Sequence, residues 1–151
     1  RNRDGLNVHT IQRNQGAVQQ VLFSPDSSSL AAIGDDRTLR MFELGDAKQL
    51  WQRSLSTPPK ALAFSFDGRY LATGGTNGQA TIHDARRGGA PVATLPNVGD
   101  WIYSLAFDKD GKQLFVGNWQ GATTVFDIKT KKRIATLTPS RPKAIGKSSG
   151  Q

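Results

Sequence analysis

The stretch Phe64–Asp84, FSFDGRYLATGGTNGQATIHD, occurs in three versions along this chain. Upstream stands Phe23–Glu43, FSPDSSSLAAIGDDRTLRMFE, and downstream stands Phe107–Asp127, FDKDGKQLFVGNWQGATTVFD. The anchors keep fixed offsets. Phe23, Phe64 and Phe107 each precede an aspartate (Asp26, Asp67, Asp110) by three residues, and Leu30, Leu71 and Leu114 follow those aspartates by four. The closing pairs are Phe42-Glu43, His83-Asp84 and Phe126-Asp127. The copies start 41 and 43 residues apart, so the length variation lies outside the shared block. Self-similarity at such a period marks stacked supersecondary units.

Each copy reads as strands. In the middle one, Ala61–Phe64 is an apolar run ended by the turn residues Phe66-Asp67-Gly68. Leu71-Ala72-Thr73 is a second strand, stopped by Gly74-Gly75-Thr76-Asn77-Gly78, which supplies the positive-φ residues a hairpin needs. Ala80–His83 is a third. A fourth follows a looser connection at Pro91–Leu95, with counterparts at Gln52–Leu55 and Ile134–Leu137. The predicted fold is all-β. Four antiparallel strands in about 40 residues make one β-propeller blade.

Over roughly residues 6–138 the chain resembles the WD40 repeat family, through the pattern F-S-P-D-G, L-A-x-G, D-G-T and a closing W-D. The closing acid survives as Asp84 and Asp127, with Glu43 in the first copy, while the tryptophan slot holds Phe42, His83 and Phe126. Asn14, Leu55 and Val98 stand in the family's histidine slot. The hairpin aspartate is kept as Asp36, with Asn77 and Gln120 elsewhere. These departures leave the family's His–Ser/Thr–Asp–Trp hydrogen-bond network without its full set of residues. The resemblance implies WD40-like blades: residues 13–55, 56–95 and 96–138, each a four-stranded antiparallel sheet. Residues 1–12 match a fourth-strand pattern and are expected to be the outer strand of a preceding blade or a closing strand. Residues 139–151 are expected to form a basic disordered tail. Closed propellers have about four to eight blades. Three blades therefore suggest a C-terminal fragment of a larger propeller, with the remaining blades in the full-length chain; the alternative is a self-associating three-blade unit.

Composition narrows the function classes. With no cysteine there is neither disulfide nor thiolate metal site. No run approaches the roughly 20 apolar residues of a membrane span, so a soluble protein is expected, the cytoplasm being favoured. The net charge of +8 is uneven. Acids and bases nearly balance between Asn14 and Ile128, whereas Lys129, Lys131, Lys132, Arg133, Arg141, Lys143 and Lys147 follow Asp127 with no acid among them. This basic end could contact nucleic acid, although it carries no aromatic residue for base stacking; a solvated strand connection is the plainer reading.

No catalytic, metal or cofactor site is expected. Asp26, Asp67 and Asp110 recur once per copy, as a tight turn requires and a single catalytic centre does not; such residues accept backbone hydrogen bonds. Asp35-Asp36 lies in a hairpin. His9 and His83 are the only histidines, and His83, in the tryptophan slot, is expected to pack or cap rather than bind metal. Gly146-Lys147-Ser148 lacks the glycine and preceding strand of a phosphate loop. The three phenylalanines and three leucines of the anchors are expected in the core.

The expected function is a non-enzymatic protein-interaction scaffold. In WD40-like propellers the entrance to strand one and the strand two–three hairpin open on one face. Trp101 and Trp119 stand at those places in the third copy, near Asp100, Asn118 and Gln120, and large aromatics on one rim are what a binding hot spot contains. The equivalent pairs are Asp35 with Ala17 and Thr76 with Pro58, which makes Asp35 and Thr76 further candidates. An alternative is a regulatory propeller of a larger enzyme or signalling protein.

Overall fold

In the computed structural model, residues 15–139 are described. The strand expected over 6–11 and the basic tail beyond Pro139 lie outside them. Twelve strands form three four-stranded antiparallel sheets in simple up-and-down order. The first holds β1 (Val18–Phe23), β2 (Ser29–Gly34), β3 (Thr38–Glu43) and β4 (Gln49–Ser54). The second holds β5 (Pro59–Phe64), β6 (Tyr70–Gly75), β7 (Ala80–Asp84) and β8 (Ala90–Thr94). The third holds β9 (Ile102–Phe107), β10 (Gln113–Asn118), β11 (Thr123–Asp127) and β12 (Arg133–Leu137). Among the described residues the only helical turn is a 3-10 turn at Ala85–Arg87. These are propeller blades, and the unclosed set fits a partial propeller.

Why the sheets stack follows from the alternation of side chains along a strand. On the second sheet, Ala61, Ala63, Ala72, Ala80, Ile82 and Ala93 share one face and pack against Ile102, Phe107, Leu114, Val116 and Phe126 of the third. Leu62, Phe64 and Leu71 share the opposite face and pack against Ala31, Ile33, Leu39 and Met41 of the first. Strands β1, β5 and β9 are the edges that meet between sheets. There the Gln20 amide brackets the backbone of Leu62: its Oε1 accepts from the Leu62 N–H at 2.9 Å and its Nε2 donates to the Leu62 carbonyl at 3.3 Å.

The turns between first and second strands explain the recurring acids. Asp26 accepts the Ser24 hydroxyl and the Ser28 N–H, and these bonds hold its carboxyl down at about 2. Asp67 accepts the Ser65 hydroxyl and the Arg69 N–H, and is likewise lowered. Both are ionised turn locks. The third sheet departs from the expectation placed on Asp110. Asp108 stands where the other copies have Ser24 and Ser65, and its own carboxylate accepts the N–H groups of Lys112 and Gln113 at 2.8 and 2.9 Å. An acid in the serine position offers no hydroxyl, so the lock moves two residues upstream.

The anchor core needs a correction too. Phe107, Leu71 and Leu114 are buried, and Phe64 and Leu30 are half-buried, but Phe23 is 61% exposed. Its face of the first sheet has no described sheet against it. The fourth strand of the first sheet also begins at Gln49, earlier than the expected Gln52.

His83 is buried, as expected for a packed residue. Its Nδ1 lies 3.0 Å from the Gly89 carbonyl and its Nε2 lies 3.0 Å from Thr73 Oγ1. A carbonyl only accepts, so Nδ1 carries the proton and Nε2 accepts from the threonine hydroxyl in the neutral ring. Burial pushes the ring below its ordinary range, with the Arg53 charge adding to that and the Gly89 carbonyl opposing it.

Two outcomes follow for urea unfolding of the full chain. Phe126→Ala, which empties a fully buried site, is expected to cost about 3–5 kcal/mol and Phe23→Ala under about 1 kcal/mol; equal losses would refute the assignment of faces. Because the folded chain disfavours protonated His83, its contribution is complete above the unfolded value near 6.5 and fades as pH falls below it. The midpoint of wild type should therefore drop more between about pH 7 and about pH 5 than that of His83→Phe. Parallel drops would place the titration elsewhere.

Candidate functional site

The third sheet gathers its aromatics through a local irregularity. The β9–β10 register pairs Gly117 with Ser104 and Asn118 with Ile102, leaving Tyr103 as an extra residue. Such a bulge re-aims the side chains beside it. Ile102 stays buried, while Trp101 and Tyr103 come to stack outside it with ring centroids 6.3 Å apart and planes at 27°. Trp119, on the β10–β11 hairpin, lies 5.3 Å from Tyr103 at 41°. The three rings are 47%, 41% and 71% exposed, in the order Trp101, Tyr103, Trp119.

Backbone bonds fix this row. The Trp119 N–H donates to the Trp101 carbonyl at 2.9 Å. The same bond recurs from Asp35 to Ala17 and from Thr76 to Pro58 in the other two sheets. Asp100 accepts the Trp101 N–H at 2.7 Å, and Asn118 Oδ1 accepts the Ala122 N–H at 2.9 Å. Gly121, at φ +87°, closes the hairpin in a conformation most side chains avoid. Both polar candidates are thus engaged locally, and Gln120 stands exposed at the hairpin tip.

Of the sequence candidates, the structure brings Trp101 and Trp119 into one cluster and places Asp100, Asn118 and Gln120 on the adjoining backbone. Asp35 and Thr76 are on other sheets. Asp35 accepts the Gln19 amide at 2.6 Å, and Thr76 is half-buried. Tyr103, which joins the two tryptophans, was missed. The signal for it was available: it precedes Phe107 by four residues, where Gln19 precedes Phe23 and Lys60 precedes Phe64. Those positions are also bulged.

What this row can do is bind. Three exposed rings supply rigid apolar area, with indole N–H and phenol O–H groups for orientation. Among the described residues, no three His, Cys, Asp or Glu side chains are grouped to hold a metal ion. No described helix is long and apolar enough to cross a membrane.

Comparison with known proteins agrees with the architecture. The chain is 40% identical over 68 residues to eukaryotic translation initiation factor 3 subunit I of Phaeosphaeria nodorum, a match covering 45% of this chain and 20% of that protein. It is 29% identical over 85 residues to target of rapamycin complex subunit wat1 of Schizosaccharomyces pombe, covering 54% of this chain and 27% of that one. The chain thus spans about a quarter or less of the curated relatives it matches. Among solved structures, the RRP9 WD40 repeats superpose with a TM-score of 0.80 at 20% identity, over 85% of this chain and 40% of that chain. That likeness concerns the fold alone. Propellers of this kind are typically non-enzymatic interaction scaffolds. The model of the WD domain, G-beta repeat, matches residues 5–43, 53–84 and 89–127, so the chain belongs to the WD40 repeat family.

Proposed function

We propose that this chain is a non-enzymatic scaffold that binds a partner protein or peptide through the aromatic row Trp101–Tyr103–Trp119. Residues 13–55, 56–95 and 96–138 serve as its blades. Asp100, Asn118 and Gln120 form the polar margin of the contact, and Asp35 and Thr76 extend it along the same rim. The observation that carries this reading is the row itself: three large exposed rings side by side, Trp101 stacked on Tyr103 and Trp119 tilted against it. Rings of this type concentrate binding energy because they cover much area while losing few rotamers. The relatives add support of a coarser kind. Both are named as subunits, one of an initiation factor and one of a complex, and a scaffold of that sort works by contact.

The mechanism is display. The stacked sheets hold the hairpins, and the hairpins hold the rings, so little order is lost when a partner docks. Truncating Trp119, the most exposed ring, should weaken partner binding by about 1–3 kcal/mol and leave the melting temperature nearly unchanged. Proteins captured by wild type but not by the Trp101→Ala/Trp119→Ala double variant would be purified and titrated against the single variant. A large fall in melting temperature with capture intact would show that the rings are packing.

A further inference from the structure

At the strand ends away from the aromatic row, the β9–β10 and β11–β12 turns lie side by side, joined by the Ile128 N–H donating to the Lys112 carbonyl at 2.9 Å. They bring together Lys109, Lys112, Lys129, Lys131 and Lys132, all exposed, with Asp110 the one exposed acid among them. Three of these, Lys112, Lys129 and Lys131, border a groove of about 490 Å³ between the second and third sheets, with Tyr70, Val92 and Ile128 as its apolar lining. One carboxylate also borders it. Asp127 accepts the Thr130 N–H at 2.7 Å, so its charge is turned into the turn backbone; Asp108 is occupied in the same way. The ion pairs among the described residues are Arg40–Asp36 and Arg69–Asp84, and neither involves these lysines. The equivalent turns of the first sheet carry Asp26, Asp46 and a single lysine, Lys48. Those of the second sheet carry Arg69, Arg86 and Arg87, of which Arg69 pairs with Asp84 and Arg86 donates to the Asp67 carbonyl; the cluster of exposed lysines is particular to the third sheet.

We propose that this groove is a second contact surface, taking an acidic linear segment of a partner protein. One apolar side chain of that segment seats on Val92, Ile128 and Tyr70, and the carboxylates flanking it meet Lys112, Lys129 and Lys131. Charge complementarity selects an anionic ligand, and the apolar floor selects one with a side chain to bury. Nucleic acid fits less well. The Arg69 guanidinium sits 5.0 Å from the centroid of the Tyr70 ring and covers a face on which a base would stack. The row Trp101–Tyr103–Trp119 is at the other end of strands five to six residues long, about 17–20 Å away, and the exposed Phe66 does not line the groove.

Fluorescence anisotropy on the full chain tests this with three labelled probes of equal length: an oligoglutamate carrying one central leucine, an oligoglutamate without it, and oligouridine. The leucine-bearing peptide is expected to bind tightest, with a Kd in the micromolar range at about 50 mM salt and a loss of about tenfold or more at about 300 mM. Lys112→Glu/Lys129→Glu should weaken it by at least about tenfold. Val92→Ser, at an exposed position, should weaken it by about threefold while leaving the oligoglutamate unaffected. Unchanged melting temperatures would confirm that both variants fold; should the double variant fail to, Lys129→Gln alone carries the charge test with an expected loss of about threefold. Tightest binding of oligouridine would make the groove a nucleic-acid surface and overturn the proposal. So would equal binding of the two peptides, indifference to the lysine substitutions, or no binding at low salt.

Discussion

Everything in this chain rests on how closely the second and third sheets approach. The contact is asymmetric: the second sheet offers a shallow face of alanines and Gly74, and the third fills it with Ile102, Phe107, Leu114, Val116 and Phe126. Gly74 shows how tight the fit is. A Cβ there would lie 2.6 Å from Cγ2 of Ile102, so the side chain of β9 occupies the space that any other residue would need. Ile102 sits between Trp101 and Tyr103. The knob that fixes the sheet spacing is thus the same residue that fixes where the rings emerge, and core packing and display are one constraint.

The same logic explains which equivalent residues are buried. Leu95 donates its N–H to Ala80 and is buried; Leu137 pairs with Thr123, the counterpart of Ala80, and is 58% exposed. Leu95 has the third sheet against it, whereas Leu137 is on the outward side of that sheet. Phe23, on the outward side of the first sheet, differs from Phe107 for the same reason. A residue's place in the stack decides its burial, and its place in the repeat decides only which way it points. This is why the recurring pattern made all three phenylalanines look alike: alternation and period are local properties, while the neighbour that covers a face is not written in the segment it covers.

The rest of the fold was legible because it depends on short-range rules. The hairpin glycines, the recurring turn aspartates and the 41- and 43-residue spacings carried the reading of four-stranded sheets, and the nearness of Trp101 and Trp119 followed from the resemblance to WD40-like propellers. Tyr103 escaped because the repeats mask it: the bulge position holds polar Gln19 and Lys60 elsewhere, and nothing in the sequence says that an extra residue will turn its ring toward its neighbours. Asp108 escaped for a related reason. It stands in the position of a serine, outside the recurring aspartates, and there its own carboxylate takes over the turn. The lysine groove was less legible still, since it joins two turns, about 20 residues apart in sequence, through one backbone hydrogen bond and borrows its floor from another sheet.

The two surfaces of the third sheet have opposite chemistry for a structural reason. Each up-and-down sheet exposes turns at both ends, and those turns are the only segments free of the packing that constrains the strands. Substitution there leaves the stack intact, so Trp119 on its hairpin and the lysines on theirs come without cost to the core, while Tyr103 is a bulged strand residue held beside the buried Ile102. The first two sheets, with the same turns, hold Asp35, Asp26 and Asp67 in locally satisfied bonds, and the second sheet's Arg69 and Arg86 are likewise engaged, with Asp84 and the Asp67 carbonyl. Specialisation of a single repeat within a uniform scaffold is what one expects when stability is spread over every blade and the connections are free to vary.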